Sequence, residues 1–321
     1  NNHTGVYYNL DESLPKDLPS VIANTKLKED YNMNTTHMIL VDSSVAGSDV
    51  KKMSQEIEKV DGVKWVLGLD NLVGSGVPAD MLPESVTGML KNDKYQLLMV
   101  NSTYKVATDK VNKQIEQIDK IMDKYDKGAM LVGEGPLTKD LINITDTDFK
   151  RVSAVSIGIV FVIILLLFKS VTIPVILVGV IEFAIFVNMG IPFYTGTKLP
   201  FVASIVIGTI QLGATVDYAI LMTTRYQRER SRGAGKFDAI TTAHKFSAQS
   251  IIVSALSFFA ATIGVGLYSN IDMISSLCIL MARGALISMV VVVLILPSLF
   301  MVFDKIIVKT SKGFRPSGLK S

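Results

Sequence analysis

The sequence is poor in the residues that build covalent and metal-bound sites. It contains one cysteine, Cys278, which excludes an intramolecular disulfide, and its three histidines lack the spacing of metal ligands. It has no phosphate-binding loop of the form G-x-x-x-x-G-K-[ST], so nothing in it predicts ATP binding. No nucleophile and base occur in a recognisable catalytic pattern either. We therefore expect neither an enzyme nor a protein with a bound cofactor.

Charge is also scarce, but only in the second part of the chain. Residues 1–151 hold 18 Lys or Arg and 23 Asp or Glu, which is the composition of a soluble protein. Residues 152–321 hold 14 Lys or Arg and only 6 Asp or Glu, and most of their length is apolar. The overall net charge of +3 therefore averages two opposite regions, and it does not indicate binding to nucleic acid.

Long apolar runs recur five times after residue 151. A helix needs about 20 mainly apolar residues to cross a bilayer, and each run approaches or exceeds that length. A soluble helical bundle is a poor explanation, because runs this apolar would leave its helices without exposed polar faces. The predicted spans are Val152–Phe168, Val171–Phe193, Leu199–Thr224, Phe246–Ile271 and Leu277–Phe303. The lipid bilayer is thus the first predicted partner.

Basic residues mark one side of these spans. Of the 14 Lys and Arg after residue 151, 12 fall at Lys169, in the loop Arg225–Lys245 or in the tail after Phe303. Positively charged loops stay in the cytoplasm, so we expect these segments there and residues 1–151 outside the cell (plasma or inner) membrane. No initiator methionine or signal peptide precedes Asn1. Since an exported domain must be carried across, we expect the chain to be a fragment that begins after a missing span.

The external region alternates between strand and helix periodicity, in the order β-α-β and then β-α-β. This order predicts an α+β domain of the ferredoxin-like, split-βαβ type over residues 1–136. We further expect a helical lead-in over 137–151, a five-span transmembrane domain over 152–303 and a basic cytoplasmic tail over 304–321. The predicted strands are Thr35–Val41, Val63–Leu67, Tyr95–Ser102 and Ala129–Gly133, and the predicted helices are Asp49–Val60, Ser85–Lys91 and Asp109–Tyr125.

The most informative residue is an acid, Asp217, within the third apolar run. An ionised carboxyl group in a membrane span is costly unless it is paired, hydrated or protonated, so it indicates function. Thr209, Gly213 and Asp217 recur every four residues and form a stripe of small residues that lets a neighbouring helix approach closely. The hydroxyl of Tyr218 is a candidate to orient the carboxylate. A purely structural polar contact between helices is the alternative interpretation.

Two other charges fall within the apolar runs, Glu182 and Arg283. Arg283 is a candidate counter-charge for Asp217 or Glu182, and it is equally placed to extend its side chain to the outer interface. Glu182 lies near the middle of its run, which predicts that it faces protein rather than lipid. Whether either residue takes part in proton transfer stays open.

Four stretches together resemble a known superfamily. Gly213–Tyr218, followed by Arg225, Tyr226 and a basic loop, resembles the fourth span of the resistance-nodulation-division superfamily, and of its MMPL-type lipid and hydrophobe exporters in particular. The likeness covers essentially the whole chain. The other stretches are Gly133–Pro136 with Asp140 and Asp148, Ser250–Ala255, and Leu296 and Pro297 with Phe303 and Asp304.

The resemblance implies a twelve-span exporter built from two similar halves, each with one span, a porter domain and five further spans. This chain matches one half without its first span, and its motif and tail fit the C-terminal half better. Asp217 and Tyr218 would then be the proton-relay pair, with protons as the coupling ion and the other half as a partner. Arg283 departs from the small or apolar residue expected there.

The implied function is export of a lipid or another hydrophobic or amphiphilic substrate, driven by the proton-motive force. Two alternatives remain. Sterol-sensing and protein-secretion-assisting relatives share this architecture, and a membrane-anchored binding module would use the spans without transport. The sequence does not identify the substrate, and homo-oligomerisation stays open.

Overall fold

The computed structural model describes residues 5–8, 13–72 and 84–314. The chain divides into two units, one formed by Leu14–Asp146 and the other by Asn1–Ser13 together with Thr147–Ser321. Residues 315–321 of the predicted basic tail lie outside the described part.

The first unit holds an antiparallel sheet of four strands in the order β3-β4-β2-β5. The strands are β2 (Thr35–Asp42), β3 (Val63–Leu67), β4 (Tyr95–Ser102) and β5 (Met130–Gly133), and the helices are α1 (Pro19–Tyr31), α2 (Gly47–Ile57), α3 (Leu69–Leu72), α4 (Glu84–Leu90) and α5 (Asp109–Tyr125). The predicted strands and helices of this region are confirmed to within three residues at each end. α1 was not predicted, because it buries none of its side chains and has no apolar stripe to reveal it.

One face of the sheet packs on α2 and α5. Side chains alternate along β2, so that Ile39 and Val41 lie in the core while the alternate residues Met38, Leu40 and Asp42 are more exposed. The helices contribute apolar residues at helical spacing, namely Val50, Met53 and Ile57 from α2 and Ile118 and Met122 from α5. Each buried apolar side chain of this size stabilises the fold by roughly 1.5–3 kcal/mol.

A histidine lies in this core. His37 is fully buried, its Nε2 lies 3.3 Å from Oε1 of Gln114, and its Nδ1 has no hydrogen-bond partner among the described residues. Gly135 lies so close that a β-carbon there would meet the imidazole ring. Burial removes water from the charged form and lowers the pKa of His37 below its ordinary value of 6.5, and the bond to Gln114 only partly opposes this.

We expect the first unit to lose stability as the pH falls below 6.5. The unfolded chain binds a proton at His37 there while the folded chain does not, so the free energy of unfolding decreases, by at most about 1.4 kcal/mol per pH unit. Hydrogen exchange of the β2 and β4 amides at pH 7.5 and 5.5 measures this. His37→Gln, which stays neutral, should remove most of the pH dependence, and an unchanged dependence in that variant would contradict the assignment.

The second unit contains the long apolar helices. Within the described residues, five helices are long and apolar enough to cross a membrane, as predicted. They are α6 (Glu134–Phe168), which begins in the first unit, α7 (Thr172–Thr195), α8 (Ala203–Ser231), α9 (Lys236–Tyr268) and a 39-residue helix made of α10 (Asp272–Val290), a π-helical segment (Val291–Ile295) and α11 (Leu296–Thr310).

Several of these helices extend well beyond the predicted apolar runs. α8 continues past Thr224 to Ser231, and α9 begins at Lys236, ten residues before the apolar run that starts at Phe246. Arg, Lys and Gln are good helix formers, so the helix continues where the apolar sequence stops. Hydropathy therefore located the membrane segments but not the helix ends.

A proline and a short strand pair complete this unit. Pro297 cannot donate a backbone hydrogen bond and its ring crowds the carbonyl group four residues earlier, at Val293, which lies in the π-helical turn. β1 (Val6–Tyr7) pairs in parallel with β6 (Leu199–Pro200), between α7 and α8. The sequence did not predict this pair, because two residues are too few to show a period.

Candidate coupling site in the helical unit

Asp217 lies halfway along the 29-residue helix α8. Its side chain is exposed at the surface of this chain, and it makes no hydrogen bond or ion pair with the described residues. Apolar sequence surrounds it along the helix. Each end of α8 is about 20 Å away, because an α-helix rises 1.5 Å per residue. The structure thus places a carboxyl group in the middle of a membrane-length helix.

The other two residues of the predicted stripe share that exposed face. Thr209 and Gly213 are both exposed. The Thr209 hydroxyl donates to the carbonyl oxygen of Ile205 at 2.7 Å, within its own helix, and a β-carbon added at Gly213 would meet nothing within 4 Å. The face is therefore smooth and open in this chain, which suits close approach of another helix.

Tyr218 follows Asp217 in sequence but lies on another side of the helix. Consecutive helical residues are about 100° apart, and Tyr218 is buried in the core of the unit together with Ala219 and Met222. Within the described residues the structure does not bring its hydroxyl to the Asp217 carboxylate. The proton-relay role of the pair stays a prediction.

A buried polar network joins α8 to α7 and α10. The side-chain amide of Asn188 donates to Gln211 Oε1 at 2.9 Å, and Gln211 Nε2 donates to Ser288 Oγ at 3.0 Å. The hydroxyls of Ser288 and Thr215 lie 2.8 Å apart. Asn188, Thr215 and Ser288 are almost completely buried and Gln211 is 5% exposed, so these bonds replace water that the site excludes.

Arg283 belongs to this network rather than to an ion pair. Its Nε donates to Asn188 Oδ1 at 2.8 Å and its Nη2 donates to the Asn188 carbonyl oxygen at 2.9 Å. Neither Asp217 nor Glu182 forms an ion pair with it in the part of the chain that the structure describes. Glu182 is half-buried on α7 and lies beside Phe183 and other apolar residues.

Sequence reasoning missed Asn188, Ser288 and Gly284. Asn188 could have been identified from the sequence, since a side-chain amide in an apolar run needs a hydrogen-bond partner. Gly284 matters because α10 approaches so closely there that a β-carbon would lie 2.7 Å from Asn188 Nδ2 and 2.8 Å from Gln211 Oε1. Which residues meet across three helices depends on how the helices pack, and the helical period alone does not predict these contacts.

We expect Gly284→Ala to destabilise the helical unit by about 1–3 kcal/mol, because the added methyl group must displace hydrogen-bonded side chains. Thermal unfolding in detergent measures the loss. Gly264→Ala on α9 is the matched control, since a β-carbon there meets nothing within 4 Å and alanine favours the helix by up to about 1 kcal/mol. Equal stability of the two variants would show that the close approach is not required.

A second polar cluster lies where α8 and α11 pack near their C-terminal ends. Asp304 accepts hydrogen bonds from the hydroxyl of Tyr226 and from Nη2 of Arg230, which lies 3.1 Å from Oδ2. Nε of Arg230 lies 3.0 Å from Oδ1 and completes an ion pair without a second hydrogen bond. Tyr226 stacks on Phe300, with ring centroids 5.0 Å apart. No pattern in the sequence distinguishes Arg230 from the other arginines of the basic loop. This cluster connects the start of that loop to the last helix.

Comparison with known proteins identifies the family. The model of the MMPL family matches residues 13–315. The chain is 24% identical over 274 residues to the "Putative membrane protein YdgH" of Bacillus subtilis (strain 168), covering 78% of this chain and 28% of that protein. It is 23% identical over 280 residues to the "Probable transport protein MmpL1" of Mycobacterium tuberculosis (strain CDC 1551 / Oshkosh), covering 78% of this chain and 27% of that protein.

A solved structure shares the fold. The crystal structure of a heavy metal efflux pump superposes with a TM-score of 0.50 and 12% sequence identity, over 85% of this chain and 35% of the pump. The chain spans less than a third of the length of the two relatives above. The resemblance predicted from the sequence is thereby confirmed. Because the family match extends over nearly the whole chain and the described residues include five membrane-length helices, the chain is a membrane protein of the MMPL family, which is a family of transporters.

Proposed function

We propose that this chain is part of a transporter that exports a lipid or another hydrophobic or amphiphilic molecule and is driven by proton influx through Asp217. One observation carries the proposal. A carboxyl group lies halfway along a membrane-length helix, on an open face of small residues, without a partner among the described residues.

A carboxyl group in this position responds strongly to protonation. As a carboxylate it needs water or a polar partner, and as a neutral acid it can pack against an apolar helix. Taking up one proton therefore changes which neighbours the open face of α8 accepts. We expect the matching half of the transporter to lie against this face, so that proton binding changes how the two halves pack.

The energy available from protons is sufficient for such work. One charge that moves through a membrane potential of 100 mV releases about 2.3 kcal/mol. Moving a substrate against a tenfold concentration difference costs about 1.4 kcal/mol. One proton per cycle can thus drive a concentration step of more than tenfold, and no nucleotide is required.

The first unit fits the role of a porter domain. Its sheet order β3-β4-β2-β5, with α2 and α5 on one face, is the order expected of a ferredoxin-like βαββαβ unit. The positive-inside distribution supports an extracytoplasmic position for this unit and a cytoplasmic C-terminus. Because α6 runs without a break from Glu134 into the first membrane span, it offers a path by which changes among the spans reach this unit.

Reconstitution of the full-length protein tests the function. Proteoliposomes carry an imposed pH gradient, an internal pH-sensitive dye and a fluorescent amphiphile. We expect dye acidification and amphiphile movement to occur together, and a protonophore to abolish the movement. Movement of the amphiphile at the same rate without a gradient would refute the proton-driven mechanism.

A further inference from the structure

Arg283 is a charged residue in an apolar helix, and no carboxylate in the described part of the chain neutralises it. It lies 11 residues after Asp272, the first residue of α10, which is about 16 Å along the helix. No carboxylate lies within ion-pair distance among the described residues. A guanidinium at such a depth is costly unless an anion or water accompanies it.

The guanidinium is held in place on one side. Both of its contacts go to Asn188, which is fully buried and is itself held by Gln211 and by the carbonyl oxygen of Leu280 at 3.1 Å. These bonds tie Arg283 to α7 rather than letting it extend to the membrane surface. They use two of its five N–H groups, and the others have no partner among the described residues.

The open part of Arg283 lies on a face of α10 that is apolar from Ile279 to Val290 and polar nearer the start of the helix, at Ser276 and Asp272. Ile279 and Val290 share this face by helical spacing, and both are exposed. Arg283 is half-buried between them. A guanidinium group that is held in place, with apolar surface before and after it along the helix, matches a molecule that combines an anionic group with an alkyl chain.

We propose that Arg283 binds the anionic headgroup, a phosphate or a carboxylate, of an amphiphile that lies along α10. This site depends on the proposed export function at one point, namely that the bound amphiphile is the transported substrate. Binding itself needs no proton flux. The same oxyanion chemistry occurs in a free phosphate and in a phospholipid of the bilayer, and the test separates these sources.

Equilibrium binding to the full-length protein in a neutral detergent tests the site. The probes are hexadecyl phosphate, its neutral analogue hexadecanol, phosphatidylglycerol and inorganic phosphate. We expect Arg283→Gln to weaken hexadecyl phosphate binding by about tenfold or more, because a charge-assisted bond is lost, and to leave hexadecanol binding unchanged. Lys198→Gln, a lysine at the predicted outer loop, is the control and should bind like the wild type.

The remaining measurements identify the source of the bound ligand and show whether the variants are folded. Arg283→Lys keeps the charge but cannot hold both Asn188 and the ligand as the guanidinium does. We therefore expect an intermediate affinity for hexadecyl phosphate. The variant should elute and melt like the wild type, which shows that it is folded. Competition by phosphatidylglycerol indicates a bilayer lipid as ligand, and competition by inorganic phosphate at similar concentration overturns the amphiphile assignment. Wild-type affinity in Arg283→Gln overturns the site. Asp217→Asn should retain binding, so a failure of proton coupling is distinguishable from a failure of this site.

Discussion

We expect Asp217→Asn in the full-length protein to reduce the proposed proton-driven export to the background of empty vesicles, while expression and membrane insertion stay normal. Asparagine has nearly the size of aspartate and keeps a hydrogen-bonding side chain, but it cannot gain or lose a proton. If the open face of α8 changes its packing only when the carboxyl group changes charge, the variant is held in one state. The measurement is amphiphile transport and internal acidification in the same proteoliposomes.

Glu182→Gln is the matched control, since Glu182 is the other carboxyl group within the predicted apolar runs. It lies beside Phe183 on α7 rather than on the small-residue face of α8, so we expect this variant to retain most of the transport. Normal expression of Asp217→Asn with undiminished export would refute the relay. Equal loss in both variants would show that any intramembrane acid matters, and that the position on α8 does not.

The sequence predicted the elements whose burial pattern repeats. Val63–Leu67, Tyr95–Ser102 and Asp109–Tyr125 begin and end as predicted, because alternating or helically spaced apolar residues pack on one core. The five membrane helices were predicted on a different ground, the length of their apolar runs. The ends of α8 and α9 were not, because charged residues end an apolar run without ending a helix.

The candidate site was predictable only in part. Asp217, Glu182 and Arg283 were identified because charge is conspicuous in apolar sequence. Their partners were not, since Arg283 meets Asn188 from another helix about 95 residues away in sequence, at a contact that Gly284 makes possible. Pairing of this kind follows from how three helices pack, and no local pattern carries that information. The proposed relay stays a prediction, because the proposal completes it with a second half of the transporter.

Asp304→Ala should destabilise the helical unit by about 3–5 kcal/mol, the largest structural effect that we expect from a single substitution in this chain. Asp304 is 6% exposed and neutralises Arg230, whose Nη1 is also held by the carbonyl oxygen of Ala234 at 2.6 Å. Removing the carboxylate leaves the largely buried guanidinium of Arg230, whose side chain is 19% exposed, without a counter-charge, and it leaves the hydroxyl of Tyr226 without its acceptor. Unfolding in detergent, followed by temperature or denaturant, measures the loss.

The double variant Arg230→Met with Asp304→Leu separates the cost of an unpaired charge from the value of the pair. Apolar residues in place of both partners should recover much of the stability lost in Asp304→Ala, because no buried charge then remains. A double variant as unstable as the single one would contradict this account. Arg230 lies 13 residues after Asp217 on α8, about 20 Å along the helix. We therefore expect the folded fraction of Asp304→Ala to transport at the wild-type rate, whereas folded Asp217→Asn should not transport. This contrast distinguishes a charge that holds the helices together from a carboxyl group that acts by gaining and losing a proton.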